Sequence, residues 1–263
     1  MLIARARADG RVTHGEVDDG RFYPIAGDVF AGDRRSGGSQ PLESVELLSP
    51  VEPTKILVIM GGFKPQDGSP LPPGAVPTLL PKASAWLQGD DAEIEVPPSI
   101  DRVWAEVELA IVLGKRIHAV SLAEAQAAIF GYACFNDASA PQFLPVQDYW
   151  RLKSIDTFGA LGPWVRTDLT EEQIRDGLRM STYVNGVLQG EGNTRDLKFR
   201  PSEVVHFAAT FSTLYPGDVI SLGTPKPVEV VPGDRVELAI DGIGVLRNRI
   251  VAAAPAADEP AAY

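Results

Sequence analysis

The chain has 263 residues, 44% of them hydrophobic and 22% charged, and its 24 basic and 35 acidic side chains give a formal charge of −11. This is an ordinary globular composition; its acidic balance argues against a nucleic-acid partner, which leans on basic patches, and no apolar run approaches the roughly 20 residues that span a bilayer. The N-terminal MLIARARADGR lacks the apolar core of a signal peptide, and the single cysteine, Cys134, excludes an internal disulfide framework and a cysteine-based zinc cluster. A cytoplasmic protein with neither nucleic-acid nor membrane partners is expected.

Residues 1–52 read as a small strand-rich module, broken by the loop Gly32–Gln40 and closed by Pro50 and Pro53. The main body, 53–251, opens on an apolar strand at Lys55–Met60. From Gly62 to Pro98, prolines and glycines are dense enough to suggest a lid or binding loop, and Glu93 and Glu95 read as part of that exposed loop. One long strand is expected over Val103–Leu113. A helix follows over Ser121–Phe130, where Ser121 and Glu124 form a capping-box pattern, and then a buried strand over Phe130–Phe135. Two more helices are predicted, from about Thr170 to Gly177 and over Pro201–Leu214, the latter with Ser202 as a possible cap. Short strands at Ser181–Val187, Asp218–Ser221 and Val236–Ile240 complete the pattern. Two Pro-Gly-Asp turns, 216–218 and 232–234, precede apolar strands. The tail 252–263 has too few apolar groups to offset chain entropy and is expected to be disordered. The fold class is mostly β with a few short helices.

The chemistry gathers in the middle of the chain. In an extended Trp104–Gly114, Glu106 and Glu108 share a face with Ala110 and Val112. Two carboxylates side by side in so apolar a strand are costly unless they lie on a solvated edge, or a cation or proton relieves them. A divalent ion with oxygen ligands would do so. Asp137 ends the buried strand before it; it is either a turn former or a third oxygen ligand. Lys153 lies among aromatic and small residues in RLKSIDTFGALGPW, as a surface lysine or as part of a site wall.

Taken together and in order, these strings resemble the fumarylacetoacetate hydrolase family. They are Glu106-x-Glu108, Asn136-Asp137-x-Ser139, Lys153-x-x-Asp156-Thr157-Phe158, Val184-Asn185-Gly186, Gly192-Asn193-Thr194, Gly223-Thr224-Pro225 and Gly242-Ile243-Gly244-x-Leu246-x-Asn248. The likeness is collinear from about residue 54 to 250. It implies a homodimer with a mixed β-roll or sandwich and a small N-terminal β module. It also implies one Mg²⁺ or Mn²⁺ on Glu106, Glu108 and Asp137, and a small anionic 2-oxo or 1,3-diketo acid substrate. Lys153 would face substrate or a metal-bound water, and Lys82, Asp156 and Thr224 would bind substrate. Reactions in such a family pass through a metal-stabilised enolate.

The departures bear on the reaction. Family hydrolases carry a water-activating His–Glu pair in the lid; the matching stretch here, from Gly62 to Leu71, puts Gly68 and Leu71 at those positions. Asp67 is the first substitute base, provided burial raises its pKa towards neutrality. Beyond Ser139 the family's Ala-Arg-Asp-Leu-Gln is replaced by Ala140-Pro141-Gln142-Phe143-Leu144. Tautomerisation or decarboxylation is therefore expected to outpace cleavage of an acylpyruvate. A catalytically degenerate carboxylate-binding dimer is the alternative outside enzymology.

Overall fold

Short β-branched and leucine-rich runs punctuated by Gly and Pro pair almost entirely with one another in the computed structural model, which describes residues 1–8 and 10–254. The larger sheet has eleven strands. Its path runs through Gln40–Pro41, Arg21–Pro24, Arg11–Asp18, Leu2–Ala8, Ala160–Arg166, Ile129–Asn136, Val107–Leu113, Val219–Ser221, Ile56–Ile59 and Leu79–Lys82, while Glu46–Leu48 pairs with the first strand. Neighbours are antiparallel except Val219–Ser221 with Ile56–Ile59. A five-stranded sheet holds Val187–Asn193, Arg179–Val184, Arg235–Ile240, Gly244–Ala252 and Ala92–Val96, the last parallel to its neighbour. A two-stranded ribbon joins Val103–Ala105 to Val228–Val230. The fold is mostly β, as the residue pattern predicts.

Every residue of Val107–Leu113 is buried. Leu109, Ile111 and Leu113 face a core shared with Ile94, Met180, Leu238 and Leu246. Ala110 and Val112 face a second one, with Ile56, Phe135 and Leu161. Covered on both sides, the strand has no need of polar alternation, and a continuous apolar run is the result. Glu106 immediately precedes this strand, and Glu108 is its second residue.

Four helices occur among the described residues: α1 (Leu122–Ala127), α2 (Tyr149–Lys153), α3 (Glu171–Gly177) and α4 (Pro201–Phe211). The Ser121–Glu124 capping box forms as the sequence suggests, but α1 stops at Ala127 because Ile129 already pairs with Leu113. In α4 the cap position is Arg200, with Pro201 at the first helical position, and Ser202 instead donates its N–H to Glu171. The five-residue α2, which delivers Lys153, is too short to leave a periodic signature; Asp148 caps it by accepting from Arg151 N.

Other departures have local causes. Glu93 and Glu95 are exposed, but they stand on a strand, alternating with buried Ile94 and Val96. The strand expected to continue to Val187 ends at Val184, where Asn185 (φ +52°) and Gly186 (φ +78°) make a tight hairpin turn. The N-terminal strands do not form a sheet of their own: Leu2 and Ile3 pair with Arg166 and Val165, so they extend the body's sheet. Ala252 closes a strand; residues 255–263 of the tail lie outside the described residues.

Candidate metal centre

At Glu106 the chain changes partners. Residues 103–105 pair with 228–230, whereas 107–113 pair with 129–136, so the single strand predicted over 103–113 is broken there. The break is held by side chains: Glu106 N donates to Asn136 Oδ1 (3.2 Å), and Asn136 Nδ2 donates to Asn248 Oδ1 (3.1 Å). Asp137 N reaches back to Glu106 O (3.2 Å), and Trp104 and Ser139 exchange two backbone hydrogen bonds of 2.9 and 3.0 Å. Glu106, Glu108 and Asp137 are thereby brought to one point, 5%, 2% and 1% exposed, with one oxygen from each within 4.8 Å of the others. The solvated-edge alternative for the glutamates does not hold.

Two lysines serve this cluster. Lys153 Nζ lies 2.6 Å from Glu106 Oε2, 2.5 Å from Asp137 Oδ2 and 2.7 Å from Ser139 Oγ. Lys82 Nζ lies 2.7 Å from Asp137 Oδ1 and donates to Ala138 O at 3.0 Å. Glu108 has neutral donors instead: Ser221 Oγ at 2.5 Å and Gly223 N at 3.0 Å. The asymmetry sets the protonation. Burial, then the Asp137 and Glu106 charges, push the Glu108 carboxyl well above the carboxylate range; burial also raises Glu106. Asp137 is equally buried, but Lys153 and Lys82 outweigh that penalty and hold it low. Burial opposes the Lys153 ammonium, yet Asp137, Glu106 and Glu108 together keep it charged. Lys82 is lowered by burial against the pull of Asp137.

Three carboxyl groups outnumber two ammonium groups in a nearly dry place, and a proton on Glu108 or a bound cation offsets the excess. The donor set is all hard oxygen, which suits Mg²⁺ or Mn²⁺ and not a thiophilic ion. Glu106, Glu108 and Asp137 thus fit a divalent cation by chemistry, spacing and burial.

The cluster forms the floor of a cavity of about 290 Å³ that also exposes the side of Trp104, Leu144 and Thr224. Thr224 Oγ1 is buried there without a hydrogen-bond partner among the described residues. The lid base is strapped beside it: Lys198 N donates to Gly62 O and Lys64 N to Asp196 O, both at 2.8 Å. A Cβ on Gly62 would lie 1.8 Å from Leu222 O, so only glycine lets this segment lie against the backbone that holds Glu108.

Not every residue singled out in the sequence arrives at the cavity. Lys153 and Thr224 line it. Lys82 sits behind Asp137, holding that carboxylate and not the cavity wall. Asp156 is exposed, in the turn after α2, and is not among the lining residues. Asp67 is exposed too, and accepts hydrogen bonds from Ser69 N (2.9 Å) and Ser69 Oγ (2.7 Å). Those bonds hold its carboxyl below the ordinary value, the reverse of what a neutral-pH base requires. Ser139, Ser221 and Asn248 matter more than their sequence context shows: lone small polar residues in strands carry no signal until the fold brings a carboxylate to them.

A mixed β fold with a buried, lysine-buttressed carboxylate cluster beside a small cavity defines a class of protein with a candidate site for a hard divalent cation. Residues 64–251 match the family model described as Fumarylacetoacetate (FAA) hydrolase C-terminal, and residues 1–50 match one described as Rv2993c-like, N-terminal. The chain belongs to the fumarylacetoacetate hydrolase family. It is 31% identical to 5-carboxymethyl-2-hydroxymuconate delta-isomerase from Mycobacterium smegmatis, with a TM-score of 0.87 over 96% of this chain and 100% of that one. Maleylpyruvate hydrolase from Sphingobium sp. SYK-6, solved with manganese(II) and pyruvate, is 27% identical with a TM-score of 0.79, over 97% of this chain and 100% of that one. The mitochondrial oxaloacetate tautomerase FAHD2B of Bos taurus is 32% identical over 228 residues, 80% of this chain and 71% of that one.

Proposed function

We propose that this chain is a Mg²⁺- or Mn²⁺-dependent enzyme that moves a 2-oxo acid between enol and keto forms, or decarboxylates it, in preference to hydrolysing a C–C bond. The observation that carries the reading is the buried Glu106–Glu108–Asp137 cradle with Lys153 in contact with two of its members. A divalent cation in that cradle supplies Lewis acidity towards the carboxylate and 2-oxo oxygens of the substrate. Lys153, kept charged by its carboxylate neighbours, provides a proton-bearing nitrogen at the cavity floor, where it would stabilise the negative charge of an enolate oxygen. Thr224 Oγ1 offers an unengaged hydroxyl to the substrate carboxylate.

Two observations favour proton transfer over hydrolysis. Asp67 faces solvent with its carboxylate engaged by Ser69, and Lys64 Nζ is turned to Arg195 O at 3.1 Å; neither lines the cavity where a water would be activated. The M. smegmatis isomerase and the bovine tautomerase point the same way. The Sphingobium hydrolase supports the pyruvyl substrate class and the metal. We further place the enzyme in the cytoplasm as a homodimer, which light scattering tests directly; among the described residues no helix is long and apolar enough to cross a membrane.

The experiment is a screen of oxaloacetate, acetylpyruvate and fumarylpyruvate with Mg²⁺, following ketonisation, CO₂ release and carboxylic-acid formation separately. Fast ketonisation or CO₂ release with slow acid formation is expected. Rapid release of pyruvate and acid from an acylpyruvate reverses the preference, and absence of metal binding at millimolar Mg²⁺ and Mn²⁺ removes the enzyme reading in favour of a degenerate binding protein.

A further inference from the structure

The cavity is two-faced. Its charged lining residues are Glu106, Glu108 and Lys153, all in the cluster on the floor. The rest of the wall is built largely from Ile59, Met60, Trp104, Leu144, Leu152 and Pro227. Their placement is not incidental to the fold. Trp104 precedes Glu106 on the same face of the chain and is pinned to Ser139 by two backbone hydrogen bonds. Leu152 is the neighbour of Lys153 on α2 and is only 3% exposed. Leu144 follows the single turn Pro141–Phe143, its N–H bonded to Pro141 O at 3.1 Å. Trp104 and Leu152 of the apolar wall are thus set by the same segments that carry Glu106 and Lys153.

From this we infer the substrate class: a 2-oxo acid whose substituent beyond C3 is apolar, branched or aromatic is preferred over a dicarboxylic one, which selects the enol–keto reaction of the proposed function, since decarboxylation through an enolate needs a second carboxylate on C3. The inference rests on the reading of the site as a 2-oxo acid centre. With the carboxylate and oxo oxygens at the floor, the remainder of the molecule meets Trp104, Leu144 and Pro227. An apolar group there is removed from water at a gain of about 25 cal/mol per Å², and a second carboxylate would lose hydration with no partner to replace it. The nearest basic group outside the cluster does not alter this. Lys198 Nζ would be 3.8 Å from a Cβ on Gly61, but its side chain lines a neighbouring cavity shared with Lys64, Arg175, Arg195 and Arg200.

The test uses a matched pair of similar length, 4-methyl-2-oxopentanoate and 2-oxoglutarate, which differ in carrying an isopropyl group or a carboxylate at the far end. Affinities are measured by calorimetry on the Mg²⁺-loaded protein, with oxalate, too short to reach the wall, as the reference for each variant. The wild type is expected to bind 4-methyl-2-oxopentanoate at least tenfold more tightly than 2-oxoglutarate. Leu144→Arg, at a position 38% exposed and so tolerant of a longer side chain, should bring the ratio to unity or invert it. Equal or tighter binding of 2-oxoglutarate by the wild type overturns the inference, as does an unchanged ratio in Leu144→Arg. Lys198→Met should leave the ratio unchanged; a selective loss of 2-oxoglutarate affinity in this variant would show a basic partner at the wall and overturn the inference. If oxalate fails to bind the metal-loaded protein, the 2-oxo acid reading itself falls, and the substrate class with it.

Discussion

Replacing Glu108 by Gln should stabilise the metal-free protein while destroying its response to metal. Glu108 is the member of the cradle with no ammonium group in contact; its Oε2 accepts from Ser221 Oγ and Gly223 N, and a glutamine carbonyl oxygen can keep both bonds. At 4.8 Å, the largest separation among the three ligand oxygens, two unit charges repel by about 3.5 kcal/mol at an effective dielectric of about 20. Glu108 feels two such repulsions, from Glu106 and Asp137, and one attraction of similar size, to Lys153. Neutralising it therefore relieves about 3 kcal/mol, or about 6–12 °C in Tm for a domain of this size. The pH dependence follows from the same imbalance. Burial and the neighbouring carboxylates raise the folded-state pKa above the ordinary 4.5, so the folded chain holds this proton more tightly than the unfolded one. That contribution to stability is complete below the unfolded value and is lost as pH rises through the folded one. In EDTA, the gap between Glu108→Gln and the wild type should thus widen from pH 5 upward, and Mg²⁺ should close it by stabilising the wild type alone. Scanning calorimetry from pH 5 to 8.5, with and without Mg²⁺, reads all three effects. A variant no more stable than the wild type in EDTA at pH 8 would refute the reasoning.

Removing Asp137 should act in the opposite direction. It neutralises Lys82 and Lys153 at once, so Asp137→Ala should lose about 3 kcal/mol of metal-free stability, the cost of leaving buried ammonium groups unpaired, as well as metal binding; denaturant titration in EDTA checks it. Lys153→Met should lower kcat by about two to three orders of magnitude with a much smaller change in KM, because the charge acts mainly on the transition state. Steady-state kinetics on whichever 2-oxo acid turns over reports the split, and an effect on KM alone would reduce Lys153 to an anchor. Asp67→Asn should leave kcat within about twofold, since its carboxylate is held by Ser69 and faces solvent; a hundredfold loss would put Asp67 back into the chemistry through a closed lid.

The sequence by itself carried the fold class and singled out the three carboxylates that gather in the buried cluster. Continuous apolar runs bounded by Gly and Pro specify buried strands through local preference alone, and Glu106-x-Glu108 is conspicuous because carboxylates are costly inside such a run. The capping box at Ser121 is equally local, requiring only residues three apart. What only the tertiary structure decided is which charges meet. Lys82 and Lys153 lie on separate elements; the family resemblance points both at substrate, and it is packing that sets both on Asp137 while leaving Glu108 to a hydroxyl and a backbone N–H. The break of the strand at Glu106 likewise depends on Asn136 and Asn248, 112 residues apart. Asp67 and Asp156 failed for the converse reason. Nearness along the chain to a lid or to Lys153 does not determine where a side chain points: Asp67 is held by Ser69 within its own turn, and Asp156 is exposed.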